Sequence, residues 1–113
     1  MLNKWKELLT NNRSAAAMLE RSNPKMLSAF RALNAAQGAT NTLDAKTLEL
    51  IAMAVAVTTR CDGCIASHAA AARNAGATEA ELSEALGVAI ALNTGAAYIY
   101  SLRALDAFNE AAT

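Results

Sequence analysis

The chain has 113 residues, enough for one domain, 1–113, that can form a core without disulfide or metal staples. It is 54% hydrophobic but only 4% aromatic, so its apolar mass is Ala, Leu, Val, Ile and Met, a composition that favours helices with small core side chains. Ten basic and ten acidic residues cancel to zero net charge and form no basic stripe, which argues against a nucleic-acid partner and against an anionic membrane surface.

No segment alternates apolar and polar residues with the period of a strand, so the predicted class is all-α. The opening residues, MLNKWKELLTNNRSAAAMLE, hold no apolar run followed by a small-residue cleavage site. With no export signal in view, a cytoplasmic location is expected. A first helix is predicted over 2–20, with a candidate break at 10–14. A second begins at Ser22-Asn23-Pro24, where Ser22 or Asn23 can cap and Pro24 suits the first turn, and runs to about Gln37, before Gly38.

A third helix is expected from about Leu43 to Thr59, capped by Thr42 or Asp44. Its second half, LIAMAVAV, is apolar all round and should make it the central helix. A fourth runs from near Cys61 to Gly76. The fifth opens on Thr78 with Glu81 three residues on, the signature of a capping box, and runs to about Leu92. Asn93, Thr94 and Gly95 then break the pattern, and a sixth helix covers 95–111. The apolar stretch 85–102 therefore reads as a buried helix pair rather than a membrane span. Short connections should make neighbouring helices antiparallel. A core of small side chains buries little area per residue, so the chain is expected to oligomerise.

Both cysteines, Cys61 and Cys64, and the single histidine, His68, fall within eight positions. On a helix, offsets of three, four and seven place them on one stripe. Cysteines in a first turn meet unpaired amides and the positive end of the helix dipole, which favour thiolate. A histidine one turn further in can accept the thiol proton, and the second thiol can close a disulfide after oxidation. Three readings stay open on spacing alone. One is redox chemistry. Another is a metal site with Cys61, Cys64 and His68 as three ligands. The last is plain packing of small hydrophobes.

The pattern E-x11-C-x2-C-x3-H, formed by Glu49, Cys61, Cys64 and His68, resembles the alkylhydroperoxidase AhpD-like core of the carboxymuconolactone decarboxylase superfamily. The resemblance extends over about 43–110: a buried helix, the C-x-x-C helix, a Gly-Ala-Thr turn and a capped helix. It implies a bundle of about six helices assembled into trimers or hexamers. It also implies reduction of hydroperoxides with electrons from a dithiol donor, and no metal or other cofactor. By that resemblance Cys64 attacks the peroxide, Cys61 resolves the sulfenic acid, and His68 with Glu49 relays the proton. A carboxylate beside an apolar helix segment needs a partner, which suits Glu49.

The chain departs from the pattern at Gly63, where the best-studied peroxidase members of the family carry histidine. Two alternatives use the same residues differently: a zinc-binding or redox-sensing protein, and a muconolactone-type decarboxylase with incidental cysteines. Around the motif, Arg60 precedes Cys61, and Asn93 and Thr94 are candidates for the edge of the active pocket. Tyr98, Tyr100 and Phe108 suit subunit packing, and Trp5 an anchor of the first helix.

Overall fold

The computed structural model describes residues 1–112, and among these there are five helices and no strand. They are α1 (Trp5–Ser22), α2 (Pro24–Ala36), α3 (Ala45–Thr59), α4 (Asp62–Asn74) and α5 (Glu79–Ala111). The caps follow the sequence closely. Asn23 accepts from the Met26 amide with Pro24 in the first position of α2. Asp44 accepts from the Thr47 amide at 2.8 Å, and this bonding with Thr47 draws its carboxyl below the usual range. Thr78 and Glu81 complete the reciprocal capping box of α5. Gly76, with φ of 87°, ends α4 in the left-handed region that favours glycine.

The candidate break in the first helix and the expected break at 93–95 are both absent, and loss of the second makes five helices rather than six. Residues 10–14 lie inside α1, and 93–95 lie inside α5. At the second, Asn93 Nδ2 donates to the Ala89 carbonyl at 2.7 Å and Thr94 Oγ1 to the Ile90 carbonyl at 2.9 Å. Both polar side chains thus bond back to their own helix rather than diverting the backbone. The one glycine then costs only about 1 kcal/mol relative to alanine, too little to stop a helix with good formers on both sides. The stretch 85–102 is therefore part of one long helix rather than a buried pair. Apart from half-buried Gly95, every residue from Ala91 to Ala112 is exposed within the chain. Among the described residues, α5 is the one helix long and apolar enough to cross a membrane.

The helices pack in the spatial order α2, α1, α4, α3, α5, an open series in which α3 lies between α4 and α5. Its register with α5 is set by two contacts. Lys46 pairs with Glu81 at 2.7 Å near both helix starts, and Asn93 Nδ2 donates to Thr58 Oγ1 at 2.9 Å near the end of α3. The order of these contacts makes α3 and α5 parallel, with α4 antiparallel to α3 on its other side. Neighbours in sequence are thus not always neighbours in space, and the expected all-antiparallel order does not hold.

Among the described residues the buried hydrophobic side chains are Met53 and Ala56 of α3, Ala66 and Ala72 of α4 and Ala89 of α5. α3 is central, as its composition suggests, but Ile51 and Val55 on its outer face remain about half exposed. An ion pair of Arg31 with Glu20, at 2.9 Å, ties α2 back to α1.

Candidate active site

The site forms where α3 hands over to α4. Only Arg60 and Cys61 separate the two helices. Arg60 adopts φ 55° and ψ 47°, the left-handed conformation, which lets the Cys61 amide donate to the Ala56 carbonyl at 3.1 Å. That turn reverses the chain sharply, so the start of α4 lies against the end of α3. A non-glycine residue in this region was not foreseen from the sequence, because arginine carries no turn signal.

Cys61 lies outside the helix rather than in its first turn. Its backbone is extended, and it is the N-cap of α4: its Sγ accepts from the Cys64 amide at 3.2 Å. A cap acceptor is ordinarily an oxygen; here the sulfur fills that place. The same sulfur is bonded to Cys64 Sγ in a disulfide whose Cα atoms are 5.2 Å apart. Cys64 and His68 remain one turn apart on α4, on one face.

Glu49, on the first half of α3, reaches His68 across the helix pair. Glu49 Oε2 and His68 Nδ1 are 2.6 Å apart, with the two side chains 23% and 28% exposed. In the pairing of an ionised carboxylate with a neutral imidazole, Nδ1–H donates to Glu49 and Nε2 is the free base. The structure therefore brings together all four residues singled out by the sequence pattern.

Cys64 and His68 open into a cleft of about 360 Å³. Its far wall is formed by Phe30 and Asn34 of α2 and by Gln37 just after it, and its near wall is α3, through Leu48, Ile51, Ala52, Val55, Ala56 and Thr59. Cys61 does not line it. Gln37 Nε2 donates to Asn34 Oδ1 at 2.6 Å, so the polar groups facing the site from α2 are already tied together. The α2 wall escaped the sequence reading, since its residues look like an ordinary amphipathic surface. Asn93 and Thr94, weighed as edges of the site, lie instead on neighbouring grooves between α3 and α5. Tyr98, Tyr100 and Phe108 are exposed and do not reach the cleft in their own chain.

The departure at Gly63 has a structural counterpart. A Cβ at position 63 would stand 2.9 Å from Asn12 Nδ2 of α1. The space that a side chain there needs is held by Asn12, and Asn3 Nδ2 reaches Asp62 Oδ2 at 3.5 Å beside it. The N-terminal helix is thus seated on the C-x-x-C turn. Among the described residues, no group of three or more His, Cys, Asp or Glu side chains is placed to hold a metal ion.

The comparisons with known proteins agree with this architecture. Residues 24–107, from the start of α2 to near the end of α5, match the carboxymuconolactone decarboxylase family. An uncharacterized protein of Haemophilus influenzae is 56% identical over 109 residues, 96% of each chain. An uncharacterized protein of the cox locus of Paracoccus denitrificans is 43% identical over 82 residues, 73% of this chain and 74% of that one. The crystal structure of an apo carboxymuconolactone decarboxylase family protein from Legionella pneumophila superposes with a TM-score of 0.75 at 36% identity, covering 95% of this chain and 96% of that one. With the all-helical fold and the matched span in agreement, the chain belongs to the carboxymuconolactone decarboxylase family.

Proposed function

We propose that this chain is a thiol-dependent peroxidase that reduces organic hydroperoxides through a dithiol–disulfide cycle in antioxidant defence. The observation that carries the reading is the placement of Cys64 and His68 on one apolar cleft, with His68 held by Glu49 at 2.6 Å. His68 Nε2 takes the Cys64 proton, and the thiolate attacks the hydroperoxide oxygen farther from carbon. The O–O bond breaks, Cys64 becomes a sulfenic acid, and the departing alkoxide takes a proton to leave as an alcohol. The Cys61 thiol then attacks Cys64 Sγ, water leaves, and the disulfide forms. A dithiol donor attacks that disulfide, passes through a mixed disulfide, and departs oxidised with both cysteines reduced. The mostly apolar walls of the cleft suit an alkyl or aryl hydroperoxide. The cycle needs a supply of thiol reductant, so we place it in the cytoplasm.

The test is direct. The protein is reduced, the reductant is removed, an organic hydroperoxide is added, and free thiol is followed over time. Two thiols per chain should disappear in the wild type and none in Cys64→Ser. In Cys61→Ser a sulfenic acid should accumulate on Cys64 and be captured by dimedone. Finding it on Cys61 instead would reverse the two roles, and inert but accessible thiols would refute the reading. Lactone decarboxylation, the reaction after which the family is named, would be supported by activity that survives loss of both cysteines.

A further inference from the structure

Phe30, Asn34 and Gln37 follow one another on α2 at offsets of four and three. Gln37, just past the helix end, keeps a helical φ of −54° and ψ of −44°, so the three share the face that walls the Cys64–His68 cleft. Gln37 curls back along this face. Its Nε2 donates to the Asn34 backbone carbonyl at 2.9 Å and to Asn34 Oδ1 at 2.6 Å. A backbone carbonyl only accepts, so the nitrogen end of Gln37 is the one that faces Asn34, and both of its N–H groups are used. Asn34 Oδ1 is engaged by the same tie. What the tie leaves open is a donor, Asn34 Nδ2, and an acceptor, Gln37 Oε1. Among the described residues neither has a further protein partner.

The rest of the cleft narrows what such a pair can serve. Phe30, Leu48, Ile51 and Val55 make it apolar, and among the described residues that line it there is no lysine, arginine, aspartate or glutamate. Thr59 Oγ1 donates back to the Val55 and Ala56 carbonyls of its own helix, at 3.1 and 3.3 Å. Cys64 and His68 serve the reaction. Asn34 and Gln37 are thus the side chains of the cleft with neutral polar atoms to spare. A hydroxyl group matches them: its oxygen accepts from Asn34 Nδ2 while its hydrogen goes to Gln37 Oε1. A carboxylate does not match. It only accepts, so its lone pairs would face Gln37 Oε1, and no cation in the walls offsets its loss of water. Two bonds hold the Gln37 side chain before anything binds, so less freedom is lost on binding. Phe30 lies about 6 Å before Asn34 along the helix axis, so an aryl group on its ring directs a ring substituent towards the pair.

We propose that Asn34 and Gln37 determine the specificity of the Cys64–His68 site, by taking between Asn34 Nδ2 and Gln37 Oε1 a hydroxyl group carried on the body of the substrate. The preferred substrate is then an uncharged aryl or alkyl hydroperoxide with a hydroxyl remote from the O–O bond, and carboxylate-bearing hydroperoxides are disfavoured. The substrate class rests on the peroxidase reading of the site, whereas the recognition of a hydroxyl by the amide pair is a matter of binding alone.

The experiment separates binding from reaction. The 15N-labelled oxidised protein is titrated with three unreactive alcohols: 2-phenylpropan-2-ol, its 4-hydroxymethyl derivative and its 4-carboxylate. The hydroxymethyl compound should bind about tenfold more tightly than the parent and move the side-chain amide signals of Asn34. The carboxylate should bind more weakly than the hydroxymethyl compound. Equal binding of hydroxymethyl compound and parent, tightest binding of the carboxylate, or no binding of any of the three would overturn the proposal. The three corresponding hydroperoxides are then compared by the rate of Cys64 thiol loss in the reduced protein. The hydroxymethyl-to-parent rate ratio should be about ten in the wild type and fall to about one in Asn34→Leu. A ratio kept in that variant, folded by its helical circular dichroism, would overturn the proposal even if both rates fell together. The wild-type titration decides the recognition whether or not the variant folds. Thiols inert to all three hydroperoxides would refute the reaction and leave the recognition to the titration.

Discussion

Glu49 on α3 and His68 on α4 meet at 2.6 Å, so the imidazole one turn from Cys64 is held from a different helix. Replacing Glu49 by Gln keeps the shape and removes the charge that fixes the Nδ1 proton. Thiol oxidation by an organic hydroperoxide should slow by about 10- to 100-fold, as for other losses of a group that orients an imidazole. Because both side chains are partly solvated, the melting temperature should move little. The pH dependence of the rate in Glu49→Gln, followed by stopped-flow, separates the two roles: a purely structural glutamate would leave its profile unchanged.

Asn12 and Gly63 are predicted to be energetically coupled. Gly63→Ala sets a methyl 2.9 Å from Asn12 Nδ2, and the amide must swing away. The variant Asn12→Ala removes the obstruction. A double-mutant cycle by urea denaturation should give an interaction energy of at least about 0.5 kcal/mol, with Asn12→Ala relieving the cost of Gly63→Ala. Strict additivity would mean that α1 does not rest on the C-x-x-C turn.

Arg60 holds a left-handed conformation, φ 55°, that an L side chain occupies at a cost of about 1–2 kcal/mol. Arg60→Gly should therefore stabilise the protein by about 1 kcal/mol, a gain reduced by the greater freedom of glycine in the unfolded chain. Thermal unfolding checks this, and a loss of stability would show that the arginine side chain makes a contact stronger than the strain.

The Lys46–Glu81 pair couples the two helix starts to pH. Its partner Lys46, and next the Thr78 amide, hold the Glu81 carboxyl below its ordinary value of 4.5. A depressed carboxyl stabilises the fold above its unfolded pKa, and the contribution disappears as pH falls through the folded value. The stability difference between wild type and Glu81→Gln should thus be largest near neutrality and shrink below about pH 4.5, measured by denaturation at a series of pH values. A difference constant down to pH 3 would show that the pair does not couple to folding.

Helix starts were legible in the sequence because capping is local chemistry: Asn23, Asp44 and Thr78 act within three residues of themselves. The four site residues were legible for a similar reason, three being close neighbours along the chain and Glu49 belonging to a spaced pattern. What stayed hidden depends on partners. The continuity of α5 through Asn93-Thr94-Gly95 rests on carbonyls a turn behind and on Thr58 of another helix. The parallel course of α3 and α5 needs α4 between them in the chain, and the α2 wall of the cleft is visible only once the chain has folded back. The left-handed turn at Arg60 stayed hidden because nothing in its side chain announces its backbone.

One atom connects the sulfur pair to the backbone. Cys61 Sγ closes the disulfide and also accepts the first amide bond of α4. Opening the disulfide would change the charge and position of that acceptor, so the start of α4 and the state of the sulfur pair are coupled. By reciprocity, whatever bears on the start of α4 bears also on the sulfur pair. The seat of α1 on this turn, through Asn3 at Asp62 and Asn12 at Gly63, is thus a ballast on the two sulfurs.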